Sequence, residues 1–533
     1  MPGLSRTDRR NSRHRRVSTP DNPPRMTRFT HIALLSVVLL AALAGPAAAS
    51  KTQESILQDD RLLLDSGADV RTQTLDQLKS LGVDTIRVNA IWARVAPGRD
   101  ATTKPSFDAT DPGAYPAGAF DALDAVVAGA AARGMGVLVT ITGPVPAWAS
   151  PCGDHRTCDP NAGEFKSFAT AVGRRYSGTF VPGAGAPAGG GGVLPLPKTN
   201  TPVDDIVAAQ TTQAAQSGTA LPRVTRWSIY NEPNLGAWLT PQYTGTSKKP
   251  VPASGRIYRG LLYAGLDGLS ASGHGSDQAL VGESAPIGRT GGPLATRSRS
   301  PLAFYRDLLC IDAKGKATSS AALGCGGSFR KLPAAVAHHP YAGGAIGAPT
   351  AKAGRDDVPL ASIRNLYRVL DQGAARGRIG SKAPVYLTEY GVQTKPPDPF
   401  GVSPATQARY INQADWLAYR DNRIRSVSQY ELNDPPEVDQ FNTGLRATNG
   451  NAKPSLAAYR LPIWVSSKRV WGQVRTGGTS ADLQWRASSK GSWKTYRTVK
   501  LNAAGYFDAA VNRRGGLWRL VAGSAAGRTA SGY

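Results

Sequence analysis

Two segments of this chain place a carboxylate where it could do chemistry. Trp227-Ser228-Ile229-Tyr230-Asn231-Glu232-Pro233-Asn234 and Val385-Tyr386-Leu387-Thr388-Glu389-Tyr390-Gly391 are each a strand-forming run that ends in glutamate and breaks at Pro or Gly. A carboxylate at the end of a buried strand sits at a fixed point at the mouth of a sheet or barrel. Two such groups can share the cleavage of a glycosidic bond. One protonates the leaving oxygen, and the other attacks the sugar carbon or activates water.

The elements that must hold these glutamates can be read from the alternation of strand-like and helix-like stretches. Between Gln53 and Leu461 this alternation signals parallel βα units. Eight strands are expected: within Ile56–Leu64, at Thr85–Ala90, at Gly136–Thr142, ending at Asn231-Glu232, at Ala279–Glu283, at Ala335–His339, ending at Thr388-Glu389, and at Ile424–Glu431. Eight such units over about 400 residues imply an α/β fold, a (β/α)8 TIM barrel whose strand ends form one active face. Two insertions interrupt it. Val181–Lys198 is rich in Gly, Ala and Pro and reads as a flexible loop; Gly291–Ser300 is a loop that could line a cleft. Beyond Pro462 short alternating strands separated by Gly/Ser turns imply a small C-terminal antiparallel β-sandwich-like domain over 463–524. Its Trp471, Trp485 and Trp518 could stack on sugar rings or fill a small core.

The paired segments, "WSIYNEPN" with "YLTEYG" about 150 residues later, resemble glycoside hydrolase clan A, most closely the cellulase-like family 5 and the related family 39 barrels. The resemblance spans residues 53–461. It implies a retaining hydrolase of a β-linked poly- or oligosaccharide, with Glu232 as general acid/base and Glu389 as nucleophile. It also implies that Asn231 contacts a sugar hydroxyl and that Arg87 keeps Glu389 ionised. His339 and Tyr341, in His338-His339-Pro340-Tyr341, match the family's His-x-Tyr pattern, in which the Tyr hydroxyl reaches the nucleophile. Retention predicts carboxyls about 5–5.5 Å apart. Glu232 must be held protonated by burial or a nearby negative charge, and Glu389 held ionised by donors or a cation.

Two departures from the family pattern bear on substrate rather than mechanism. No His follows strand three, where the chain reads Ile141-Thr142-Gly143-Pro144. No Trp ends strand eight, so Tyr430 would have to serve as the platform there. Trp148 and Tyr390 could also be sugar platforms or core residues, and Glu283 could bind sugar hydroxyls or be a solvated strand-end carboxylate. A catalytically silent barrel that binds cell-wall glycan and a transglycosylase remain alternatives.

Composition bounds the setting. The chain has 533 residues and a net charge of +25. Residues 1–49 have the layout of a secretory signal peptide, with Arg25 and Arg28 around Met26 (a possible true start), an apolar run from Ile32 to Leu43, and Ala47-Ala48-Ala49. Eight Arg and two Asp in that segment account for six of the charges, leaving +19. A basic exported chain could meet anionic cell-wall glycan, but its Lys and Arg are scattered rather than interleaved with aromatics, which disfavours nucleic acid. No later segment is long and apolar enough to span a bilayer. The four cysteines suit local disulfides, Cys152–Cys158 and Cys310–Cys325 being the chosen pairing of three. The expectation is therefore a secreted or cell-wall-associated monomer with a carbohydrate substrate and no cofactor. No metal is expected either, since His155, His274, His338 and His339 are the only histidines past the leader.

Overall fold

The computed structural model describes residues 52–183, 218–438, 441–512 and 515–531. The signal-peptide reading of residues 1–49 and most of the Val181–Lys198 insertion fall outside these residues.

Eight parallel strands close into a barrel in chain order. They are β1 (Glu54–Gln58), β2 (Thr85–Ile91), β3 (Gly136–Thr142), β4 (Arg226–Ile229), β5 (Gln278–Ser284), β6 (Ala335–His338), β7 (Val385–Leu387) and β8 (Ile424–Tyr430). The first strand is shorter and earlier than expected. Asp59 accepts the Leu62 amide and starts a short helix at Asp60, so Leu62 and Leu63 are helical and Leu64 caps the helix rather than extending the strand. The fourth strand stops three residues before Glu232 and the seventh two residues before Glu389, so both glutamates stand on loops just above the strand ends.

A helix follows each strand: α1 (Ala68–Ser80), α2 (Asp121–Ala132), α3 (Ala162–Arg175), α4 (Ser254–Ala271), α5 (Pro301–Leu308), α6 (Ile363–Ala374), α7 (Pro404–Tyr419) and α8 (Pro454–Arg460). Strand β2 shows how sequence divides the two layers. Ile86, Val88 and Ala90 join the large core cluster, while the alternate residues Arg87 and Asn89 are also buried but polar. A second, smaller cluster gathers Ile56, Leu138, Leu280, Ala335, Ala337 and Tyr386 from five different barrel strands. Near the first residues of the strands, Arg226 of β4 pairs with Glu54 of β1 and bonds Gln278 of β5. Polar side chains collect at the opposite, C-terminal end.

The C-terminal segment forms two antiparallel sheets. One contains β9 (Ile463–Ser466), β10 (Arg469–Gln473) and β13 (Tyr506–Ala510); the other contains β11 (Ser480–Arg486), β12 (Lys494–Lys500), β14 (Leu517–Ala522) and two short strands beside β14. Trp518 is buried among Leu483, Leu520 and Phe507, and Trp485 packs against the same cluster. Trp471 is buried against Tyr419 of α7, with ring centroids 5.4 Å apart. Of the three tryptophans offered as sugar platforms, two are thus fully enclosed. A chain this short must bury its largest side chains to form a core. Arg475 ties the sheets to the barrel through Asp415 of α7 at 2.9 Å and the Tyr459 carbonyl of α8 at 2.7 Å.

Both cysteine pairs are bonded, Cys152 to Cys158 and Cys310 to Cys325, with Cα separations of 6.0 and 5.7 Å. Among the described residues, no helix is long and apolar enough to cross a membrane.

Candidate active site

The loop after β4 is pinned on both sides before it delivers Glu232. The Tyr230 amide donates to the Ile141 carbonyl, the Asn231 amide to Thr142 Oγ1, and the Glu232 amide to the Glu283 carbonyl, at 2.9, 3.0 and 3.1 Å. Tyr230 and Glu232 adopt positive φ values of 71° and 37°. Side-chain-bearing residues rarely sit there, so the neighbouring strands must hold this backbone in place.

Arg87 stands at the centre of the mouth and is fully buried. Its Nε donates to Glu283 Oε1 at 2.8 Å and its Nη2 to Glu283 Oε2 at 2.5 Å. The same Nη2 donates to Asn231 Oδ1 at 2.7 Å, while Nη1 donates to Glu389 Oε1 at 2.7 Å and also to Gln58. One planar guanidinium thus fixes residues from β1, β5 and the loops after β4 and β7. Glu283 is neither solvated nor free for sugar. It is wholly buried, accepts a further bond from Thr140 Oγ1, and neutralises Arg87. A β-bulge at the end of β5, with Glu283 at φ 60°, turns its carboxyl inward.

Glu389 receives a second donor on its other oxygen, the Tyr341 hydroxyl at 3.2 Å. Histidine 339 bridges the two glutamates, its Nδ1 lying 2.9 Å from Glu232 Oε1 and 3.4 Å from Glu389 Oε2. His338 is directed elsewhere, bonding Ser284 Oγ and the Val358 carbonyl. Between the two histidines, only His339 faces the carboxyls.

The carboxyls differ in their surroundings. Burial pushes the Glu232 carboxyl up to about 8; Arg87 opposes this and Glu283 adds to it. Burial also raises Glu389, but His339 and Arg87 both favour its charged form. Glu232 and Glu283 nearby push the Glu389 carboxyl up further, against the pull of the Arg87 guanidinium in contact with it.

Oxygens of Glu232 and Glu389 and a nitrogen of His339 lie within 4.8 Å of one another. A divalent cation could use such spacing. Here, however, both oxygens of Glu389 already accept from Arg87 and Tyr341, and the adjacent guanidinium repels a second cation.

The candidate platforms separate. Trp148 donates to the Pro97 carbonyl at 3.1 Å and packs edge-on to Trp92. It also meets Phe107 and Lys104, and it borders a cleft of about 640 Å³ with Pro151, Asn161 and Arg256. Tyr390 is buried and stacked on Tyr341, which takes it away from solvent. Tyr430 is half-buried at the end of β8. The peptide that follows it is cis.

Phe441, in the loop after β8, went unrecognised in the sequence. It is 45 % exposed, and its ring lies 5.5 Å from Tyr341 and 6.1 Å from Tyr430. No periodicity marks it; only the folded loop brings it to the mouth. Gln58 and Glu283 were also missed as partners of Arg87. Glu283 carried a signal, because it is a third strand-end glutamate and a buried arginine at a barrel mouth needs more than one acceptor.

No protein-family model and no curated protein matches this chain. Glycoside hydrolases are among the solved structures that resemble it. A glucosidase from Croceicoccus marinus covers 88% of this chain and 82% of its own at 12% identity and a TM-score of 0.45. A GH5_18 protein from Streptomyces cattleya in complex with GlcNAc covers 77% and 79% at 14% identity and 0.44. The exo-beta-1,4-mannosidase Op5Man5 from Opitutaceae bacterium strain TAV5 covers 78% and 60% at 12% identity and 0.39.

Proposed function

We propose that this chain is an exported retaining glycoside hydrolase that cleaves a β-linked saccharide by double displacement, residues 53–461 being the catalytic unit. The carrying observation is the unequal pair of glutamates with oxygens inside 4.8 Å. That spacing suits a direct attack on the sugar better than the wider gap needed to seat a water between carboxyl and ring.

In the first step Glu389 attacks the anomeric carbon. The bond from that carbon to the leaving oxygen breaks as Glu232 gives its proton to that oxygen. A glycosyl ester on Glu389 results. In the second step Glu232, now ionised, takes a proton from water, and the water oxygen displaces Glu389 from the same carbon. Two inversions restore the original configuration. Arg87 and Tyr341 keep Glu389 ionised and aimed, and Asn231, oriented by Arg87, is free to bind a sugar hydroxyl through its amide N–H. Phe441 offers the exposed aromatic face that strand eight itself lacks. Its loop position supports a platform role shared with Tyr430. The two disulfides and the leader-like N-terminus support export.

The test uses an activated 2-fluoro glycoside with the purified chain. A stable adduct on Glu389, located by peptide mass spectrometry and absent in Glu389→Gln, is the expected outcome. Wild type and Glu389→Gln behaving alike on aryl glycosides would instead favour a silent glycan-binding barrel. An inverted anomeric product by NMR would rule out the double displacement. Products longer than the substrate would identify a sugar acceptor in place of water.

A further inference from the structure

Five polar side chains around one enclosed cavity each leave an atom without a partner. The cavity has a volume of about 10 Å³ and lies between the barrel wall and α7. It is lined by Tyr390 from the loop after β7, Ser428 and Gln429 of β8, Asp415 of α7 and Arg475 from the C-terminal segment. Among the described residues, the Tyr390 hydroxyl, Ser428 Oγ, Gln429 Oε1, Asp415 Oδ2 and Arg475 Nη1 form no hydrogen bond. None of the five residues is more than 7 % exposed. Tyr459 of α8 also lines the cavity, with its hydroxyl in reach of Ser55.

The remaining atoms of these side chains hold them in place. Gln429 Nε2 donates to the carbonyls of Tyr430, Glu431 and Thr443 at 3.0, 3.1 and 2.8 Å. Arg475 donates through Nη2 to Asp415 Oδ1 and through Nε to the Tyr459 carbonyl. The Tyr390 ring is stacked on Tyr341, with centroids 6.2 Å apart. Turning any of them toward a new partner would give up a contact already made. The free atoms are also chemically mixed. Gln429 Oε1 and the Asp415 carboxylate oxygen only accept, Arg475 Nη1 only donates, and the two hydroxyls can do either. An apolar cavity stays dry, but a polar one of about 10 Å³ has room for one water and the two to four partners that hold it. Immobilising a water costs less than leaving several buried polar atoms unpaired.

We propose that one ordered water occupies this cavity, donating to Asp415 Oδ2 and Gln429 Oε1 and accepting from the Tyr390 hydroxyl, and that it ties the C-terminal sheets to the loop carrying Glu389. The connection runs from Arg475 to Asp415, through the water, to Tyr390. Tyr390 follows Glu389 in the chain and stacks on Tyr341, whose hydroxyl donates to the Glu389 carboxylate at 3.2 Å. Holding Tyr390 from behind therefore steadies both the glutamate and its donor. Asp415 and Tyr390 are positioning residues, and the C-terminal sheets take part in the barrel's chemistry without touching sugar. The bearing on catalysis rests on the glycoside hydrolase reading above.

The first readout is a crystal structure of the wild-type protein at a resolution that shows ordered waters. One water within hydrogen-bond distance of both Asp415 Oδ2 and the Tyr390 hydroxyl is expected. A cavity without density, or a direct contact between those two side chains, overturns the proposal. The second readout is Tyr390→Phe, which removes only the hydroxyl. Hydrogen–deuterium exchange in the peptide covering residues 388–391 should quicken about tenfold, the scale of one hydrogen bond. On an aryl glycoside kcat should fall by about the same factor with KM unchanged, a split that a general loss of stability does not produce. Exchange as slow as in the wild type would sever the link to the Glu389 loop and overturn it. The crystal and exchange readouts need no turnover, and the 2-fluoro adduct on Glu389 forms or fails independently of them, which separates this inference from the hydrolase reading.

Discussion

Glu232 and Glu389 are the same residue type in similar burial, and their neighbours set them apart. A guanidinium touches Glu389 at 2.7 Å, while Glu232 is pushed up to about 8 by burial and Glu283. A general acid must carry its proton, so its contribution is present below that value and lost as pH rises through it. The kcat/KM profile is therefore expected to fall on its alkaline side near pH 8. Glu232→Gln should remove that limb and lower kcat/KM about 10²–10⁴-fold on substrates with poor leaving groups. A limb that persists in the variant would assign it to another group. Both glutamates were legible because each closes an apolar strand just before a helix breaker. Glu283 carried the same strand-end signal, yet its pairing with Arg87 was not legible. A bulge set by tertiary packing decides whether that carboxyl faces solvent or Arg87.

The eight strands stood out in sequence because parallel barrel strands are covered on both faces and read as apolar runs. Their ends were less legible. Near β1, Asp59 captures a backbone amide and converts an apolar run to helix. In the loops, close approach matters more than pattern. A Cβ on Gly391 would lie 2.4 Å from the Tyr430 carbonyl oxygen and 2.7 Å from Thr443 Cβ. The loop carrying Glu389 is thus packed directly on the end of β8. Gly391→Ala is expected to push that loop outward and lower kcat by roughly 10²-fold, as a misplacement of about 1 Å would. Kinetics beside circular dichroism can check this, with secondary structure retained. Unaltered kcat would show that the loop can give way at no cost.

The C-terminal sheets belong to the same molecule as the barrel through Arg475, Trp471 and their partners on α7 and α8. Arg475→Ala would strand the buried Asp415 carboxyl. The expected loss is about 3–5 kcal/mol of stability in urea unfolding, because one partner of an enclosed pair is removed. A loss near zero would mean the sheets merely rest on the barrel. The sheets themselves were legible from alternation, but their docking was not, since Trp471 and Trp518 look alike in sequence and pack in different places. Barrel closure has a consequence in time. Glu54 of β1 pairs with Ser426 of β8, and Gln53 reaches back to the carbonyls of Ala418 and Ile424. A polypeptide emerging one residue at a time, from a ribosome or through a membrane pore, holds its first strand with one edge open until nearly the whole barrel has appeared. Its birth therefore favours a late, all-at-once closure, and the waiting edge of β1 is the part of the nascent chain most in need of a chaperone.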